Sequence, residues 1–336
     1  MKALFLAKPG FRLIGNKDPD IKNLIDILRS FTVVYTSGDL YDDCVRCNIH
    51  AFRLELTDKN PETGTWSNEY VDNINKMVSF AVDNIVDVYI TAGGDGTVSY
   101  VASSTIVNSR NKTFRPLFIG FPAGTANAGP IVKRLGTGDM SKLKMTKIDA
   151  IEVTDGDSVI GYGFNDVIIG NSFLGTLNGE MRNFDAVAMA QRGEAKTVSP
   201  GTDITSDKFK ATLNGKELYI GHKVEQICVS TLQFDRFNMR AVFGGILNAV
   251  GYDHPAAAAF SDRIIVDSDQ KTWNYKGSVS TAHVSFNETD TLKISGFGKD
   301  AQIIIDGNPF IRQTDELSFR IIPWVCTALW DTGETK

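Results

Sequence analysis

Apolar residues follow two rhythms along this chain, and the change of rhythm divides it. Up to about residue 143, short apolar runs alternate with segments whose apolar positions recur every three or four residues, which predicts strands alternating with helices around a parallel sheet. Residues 3–7 and 32–36 read as strands; between them Pro19 opens a helix with Ile21, Leu24, Ile25 and Leu28 on one face. Over residues 68–84 one helical face gathers Val71, Ile74, Met77, Val78, Ala81 and Val82. A strand over 86–90, a helix over 98–106 and a strand over 116–121 follow.

Beyond that point the apolar runs become short, alternating or β-branched, with turn residues between them. An α/β domain over residues 1–143 followed by a β-rich, sandwich-type domain over 144–336 is therefore expected. The clearest hairpin joins 209–213 to 216–220 through Asn214-Gly215, a pair that readily takes positive φ. Further strands are expected over 148–153, 264–266, 282–286, 292–295, 302–305 and 317–322, and 241–250 with 255–260 reads as a short helical insertion.

Composition narrows the function classes. A length of 336 residues suits two domains, and 42% hydrophobic with 22% charged residues is ordinary for a folded globular chain. With 35 basic against 40 acidic residues, a net charge of −5 and no Lys/Arg-rich run, nucleic acid is not expected as a partner. No stretch approaches the ~20 apolar residues of a membrane span, and the apolar run 3–7, ended by Lys8-Pro9, is shorter than the ~7–15 residues of a signal-peptide core. The four cysteines are too sparse for a disulfide framework, which points to a reducing, cytoplasmic setting. Cys44-Val-Arg-Cys47 finds no second ligand pair to complete a zinc site.

The strongest chemical signal is Gly93-Gly94-Asp95-Gly96-Thr97, placed between an expected strand and an expected helix. Glycines let the backbone approach phosphate oxygens, the amides of a helix N-terminus attract negative charge, and a carboxylate at Asp95 can meet a metal or a reacting hydroxyl. Gly-Asp-Gly alone is equally a plain strand-to-helix connection. A second loop, Pro122-Ala123-Gly124-Thr125-Ala126-Asn127, follows the next strand, and in a parallel sheet both loops leave the same edge, where ligands bind. Taken alone, Asn165-Asp166 reads as a turn into a strand and Asp306-Gly307 as a hairpin turn. Lys133, Arg134 and Arg182 could neutralise phosphates, but single basic residues are more often solvated surface, and His222, His254 and His283 read as core or surface groups without a triad.

In these motifs the chain resembles the superfamily of NAD kinases, diacylglycerol and sphingosine-type lipid kinases and ATP-NAD kinase/AcoX-like proteins. Its hallmark GGDGT stands as Gly93–Thr97, the second loop is similar to P-x-G-T-x-N, Asn165-Asp166 is similar to the N-E/D motif of NAD kinases, and Asp306-Gly307-Asn308 stands where lipid kinases have D-G-E. Ala128 and Asn308 replace residues that are acidic in lipid kinases, so the likeness is nearest to the AcoX-like branch. The resemblance implies an α/β domain of the NAD kinase/phosphofructokinase type, followed by a β-sandwich domain, with the extreme C-terminus returning to the first domain. It implies transfer of the γ-phosphoryl group of ATP to a hydroxyl, the 2′-hydroxyl of NAD or that of another small acceptor, with ATP and Mg²⁺ as cofactors. In that scheme Asp95 is catalytic and a Mg²⁺ ligand, and Gly93, Gly94, Gly96, Thr97, Gly124, Thr125 and Asn127 bind phosphates. Asn165 and Asp166 hold the acceptor. The competing implications are a lipid kinase acting on diacylglycerol or a sphingoid base, and a non-catalytic nucleotide-binding regulator. Relatives of this kind form homo-oligomers, and light scattering is expected to give a dimer or larger species at micromolar concentration; a monomer throughout that range would remove the expectation.

Overall fold

In the computed structural model the apolar runs of the first half line up side by side as strands. The structure describes residues 1–56, 68–124, 127, 129–177, 180–192, 194, 196–198, 203–232, 254–263 and 280–331. The chain forms two units, Met1–Ile148 with Trp324–Lys336, and Asp149–Pro323.

In the first unit β1 (Lys2–Ala7), α1 (Ile21–Arg29), β2 (Val33–Thr36), α2 (Gly38–Arg46), β3 (Ala51–Arg53), α3 (Asn68–Asp83), β4 (Val88–Gly93), α4 (Asp95–Ser109) and β5 (Leu117–Pro122) alternate. The strands pair in parallel in the order β3-β2-β1-β4-β5, and the last strand of the chain, Glu316–Asp331, adds to β5 in parallel with Thr327 opposite Leu117. The winding reverses between β1 and β4, which makes the carboxyl ends of those strands the switch point at which open α/β sheets bind ligands. Both faces of β1 are buried: Ala3 and Phe5 pack with Leu24, Ile27 and Leu28 of α1, while Leu4 and Leu6 point to the other side. On α3, Ile74, Met77, Val78 and Ala81 are buried, and Asn75 Oδ1 accepts hydrogen bonds from Tyr100 and Ser104 of α4 at 3.2 and 3.0 Å.

Neither α2 nor β3 stands out in the hydropathy pattern. α2 carries three aspartates in nine residues, and β3 has three residues, of which Phe52 and Arg53 are exposed. The aspartate at position 43 explains why so polar a helix packs here. Asp43 is wholly buried and accepts from Arg12 Nε and Nη2 at 2.9 and 2.6 Å and from the Leu13 amide at 2.8 Å, so α2 holds the loop that leaves β1.

The second unit continues β6 (Leu143–Asp155) and holds β7 (Ser158–Gly163), β8 (Asp166–Gly170), β9 (Ser172–Leu177), β10 (Glu180–Asp185), α5 (Ala186–Arg192), β11 (Thr205–Leu213), β12 (Lys216–Glu217), β13 (Gln226–Thr231), β14 (Ala256–Ser261), β15 (Thr281–Phe286), β16 (Leu292–Phe297), β17 (Gln302–Ile305) and β18 (Asn308–Phe310). The strand Glu316–Asp331, β19, begins in this unit and ends in the first. One antiparallel sheet runs β15-β14-β13-β8-β17-β18; β12, β11, β16 and β19 pair in a second arrangement, and β6 pairs with both β19 and β7. Ile169, Val229, Phe260 and Ile303 from the first meet Val153, Ile294, Leu317 and Phe319 from the second in one apolar core, as in a β-sandwich. Asn214 and Gly215 take φ of +51° and +76°, the turn that an Asn-Gly hairpin requires.

The alanine run is a correction to the sequence reading. Ala256–Ser261 is not helical but a central strand, paired with β13 on one side and β15 on the other. Helix propensity of alanine amounts to a few tenths of a kcal/mol per residue, whereas two flanking strands supply hydrogen bonds to every backbone group. Residues 241–250 and 264–266 lie outside the described residues.

Arg12 and the loop amides hold the Asp43 carboxyl below its ordinary value of 3.8. A depressed carboxylate contributes stability that is fully present above the unfolded-state value and is lost as pH falls through the folded-state one. Asp43→Asn is expected to lower stability by about 1–3 kcal/mol at pH 7, and the gap to wild type should close as pH falls below 3.8. Urea titrations at several pH values test this, and a gap independent of pH would contradict it.

Candidate functional site

Every residue of β4 is buried, so the chain is rigid up to Gly93. It then leaves through Gly94, the N-cap of α4, whose extended φ of −85° and ψ of 180° precede Asp95 in the first turn. A glycine in this place sets no side-chain oxygen over the first amides of α4, so the positive end of that helix faces outward from the sheet edge. Gly96 lies half-buried in the same first turn, and Thr97 is buried against Gly93, where an added Cβ would come within 2.8 Å of the Thr97 Cβ. Thr97 also shares a hydrogen bond with the hydroxyl of Tyr70 on α3, a group whose pKa burial raises and which lies 3.3 Å from the carbonyl of Ala7 at the end of β1. Nothing in the sequence around Tyr70 signals this contact.

The second loop meets the first backbone to backbone. A Cβ on Gly124 would lie 2.3 Å from Gly94 Cα, and one on Gly94 would lie 3.1 Å from Gly124 Cα. Glycine is demanded at position 124 by this approach rather than by an unusual φ, and a side chain at 94 would be tight. The Ala123 amide bonds to the Gly93 carbonyl at 2.9 Å, which extends the β4–β5 ladder to the rim. Asn127, at φ +49°, closes its own loop: Oδ1 accepts from the Gly124 amide at 3.0 Å and Nδ2 donates to the Gly124 carbonyl at 2.8 Å. The returning chain then places the Gly129 amide 2.7 Å from Asp95 Oδ1. Gly93, Gly94, Asp95, Gly96, Thr97, Gly124 and Asn127 are thus brought together in one cradle of the first unit; Thr125 lies outside the described residues.

Lys133 departs from its sequence reading. It is half-buried, its amide bonds to the Gly120 carbonyl of β5 at 3.0 Å, and its Nζ lies 5.0 Å from the ring centroid of Trp330 on β19. Burial lowers its pKa, and the negative charge of Asp95 acts in the opposite direction. Arg134 and Arg182 are exposed, and Arg134 pairs with Asp20 at 3.4 Å.

In the second unit Asn165 and Asp166 form the link between β7 and β8, and Asp306 builds it. The Asp306 carboxylate accepts from the amides of Phe164, Asn165 and Asp166 at 2.8, 2.8 and 3.0 Å, while the Asp306 amide returns a bond to the Asp166 carbonyl at 3.0 Å. Asp306 and Gly307 take φ of +48° and +79°, so they are at once the β17–β18 turn and the anchor of the Asn165-Asp166 link. Asn308 donates to the carbonyls of Ile305 and Asp306 at 3.1 and 3.3 Å, bonds that an ionised acid in its place has no proton to make. Asp166 is buried, and Asn165 Nδ2 donates to its Oδ2 at 3.2 Å. Asn165 Oδ1 is buried and accepts no hydrogen bond among the described residues. Burial raises the thiols of Cys44, Cys228 and Cys326, Cys44 to about 12, which leaves them as packing groups.

The chain thus has an open α/β unit with a glycine-lined loop pair at its switch point, and a unit of β-sandwich type. The structure of yeast NADH kinase complexed with NADH matches 99% of this chain and 84% of its own, with a TM-score of 0.50 at 13% sequence identity, so the fold is NAD kinase-like. An uncharacterized protein of Archaeoglobus fulgidus is 29% identical over 246 residues, 72% of this chain and 73% of that protein. No protein-family profile matches the chain.

The contact between the two loops yields a direct expectation. Gly124→Ala forces a methyl against the Gly94 backbone, and overpacking of this kind costs about 1–3 kcal/mol. The variant should melt at lower temperature than wild type; unchanged melting would mean that the loops separate at no cost.

Proposed function

We propose that this protein is an ATP-dependent kinase of the NAD kinase type, which transfers the γ-phosphoryl group of ATP to the 2′-hydroxyl of the adenosine ribose of NAD. The observation that carries the reading is the backbone contact of Gly94 with Gly124, which gathers the α4 N-terminus, the Asn127 loop and the Asp95 carboxylate in one cradle. The NAD kinase-like fold supports it.

Transfer of this kind depends on positioning and on stabilising charge at the phosphates. The backbone of Gly93, Gly94 and Gly96 approaches the phosphates, with Thr97, Thr125 and Asn127 hydrogen-bonding around them. As the acceptor oxygen bonds to the γ-phosphorus and the bond to the β-bridging oxygen breaks, Asp95 takes the hydroxyl proton and ADP leaves. The Gly129 amide fixes the orientation of the Asp95 carboxylate. Asp95 is the carboxylate that would hold Mg²⁺, which would supply charge neutralisation at the phosphates. Asn165 and Asp166 hold the acceptor, and the unused Asn165 Oδ1 acceptor suits a ribose hydroxyl donor.

Purified protein assayed for ATP consumption with NAD, NADH, diacylglycerol and sphingosine tests the reading. Turnover with a lipid alone would make it a lipid kinase, and nucleotide binding without turnover on any acceptor would make it a regulator. Asp95→Asn keeps an oxygen for the Gly129 amide, so melting should stay near wild type while kcat falls by about 10²–10⁴. Full activity in that variant would remove Asp95 from catalysis.

A further inference from the structure

We infer that Lys133 is the phosphate-binding cation of the glycine cradle, held on the face of Trp330 so that its ammonium meets the terminal phosphates of a bound nucleotide beside Asp95. The inference rests on the phosphate-cradle reading above and adds a residue that carries no motif.

Geometry supports it first. The Gly129 amide touches Asp95, and four residues later the chain is pinned to β5 by the Lys133 amide on the Gly120 carbonyl, reinforced by the bridge of Val132 with Gly120. Gly120 is forced by this approach, since a Cβ there would lie 2.6 Å from the Ile131 carbonyl oxygen. The lysine backbone is therefore fixed against the strand that feeds the second glycine loop. Its stem ends over Trp330, on the part of β19 just past the Thr327–Leu117 and Ala328–Phe118 pairs.

Charge supports it independently. Among the described residues the Lys133 ammonium has its aromatic contact but no carboxylate within ion-pair distance and no hydrogen-bond acceptor. A half-buried cation in that condition is costly, as the lowering of its pKa by burial reflects, and an arriving anion relieves the cost. The Asp95 carboxylate by itself repels phosphate, and a fixed cation of the chain adds to whatever else offsets that repulsion. Arg134, the next residue, is exposed and turned to Asp20, and does not fill that role.

Calorimetric titration of the full chain with ATP, inorganic tripolyphosphate and adenosine separates the possibilities. Lys133→Met should weaken ATP and tripolyphosphate by about 10–100-fold and leave adenosine unchanged, with melting at or above wild type. Lys133→Arg should restore most of the loss. Trp330→Leu should weaken both phosphate ligands by about 2–5-fold through loss of the aromatic support. If Lys133→Met does not fold, Lys133→Gln carries the same comparison. Wild-type affinity for ATP in the neutral variant, or a loss of adenosine in step with ATP, would overturn the role of Lys133 and leave the cradle standing. Failure of the wild type to bind ATP or tripolyphosphate would overturn the cradle reading and this inference together.

Discussion

The contact between the backbones of Gly94 and Gly124 is the constraint on which the candidate site depends. Paired strands lie about 4.8 Å apart with their side chains pointing away from one another, whereas at this rim a Cβ on Gly124 would run into the Gly94 backbone. At the same rim the Ala123 amide continues the ladder onto Gly93, Gly94 serves as the N-cap of α4, and Asp95 lies under the Gly129 amide. Bulk at Gly124 would push the Asn127 loop away from the start of α4.

The second unit solves a comparable problem with a carboxylate instead of a glycine. The link Phe164-Asn165-Asp166 turns sharply between β7 and β8 and presents three amides in succession, which Asp306 satisfies from a neighbouring hairpin. Such charge-assisted bonds to backbone are strong, and beside them the buried Asn165 Oδ1 accepts no hydrogen bond among the described residues. Within Asp306-Gly307-Asn308 the first residue binds the three amides, and the third works as a hydrogen-bond donor to the hairpin carbonyls.

Much of the first sheet was legible because parallel strands buried on both faces are continuous apolar runs. β1, β2, β4 and β5, and the apolar faces of α1 and α3, follow from periodicity. What escaped were elements stabilised from outside themselves. α2 is polar and is held through buried Asp43; β3 is too short to show a rhythm; β14 is an alanine run made extended by its two neighbours. Lys133 read as a surface residue because its environment is made by Trp330, far along the chain, and by a backbone bond to Gly120 that no local pattern announces.

By itself the sequence determined the local geometry of this protein. The runs that become strands, the glycines that permit a strand-to-helix loop, and the Asn214-Gly215 and Asp306-Gly307 turns are properties of a few neighbouring residues and their allowed backbone angles. Only the tertiary structure decided that Gly94 meets Gly124, that Asp306 carries the Asn165-Asp166 link, and that Lys133 lies over Trp330. Each of those joins residues distant in the chain, and such a contact is set by how the sheets and helices bury their apolar faces, a sum over many residues that no single motif contains.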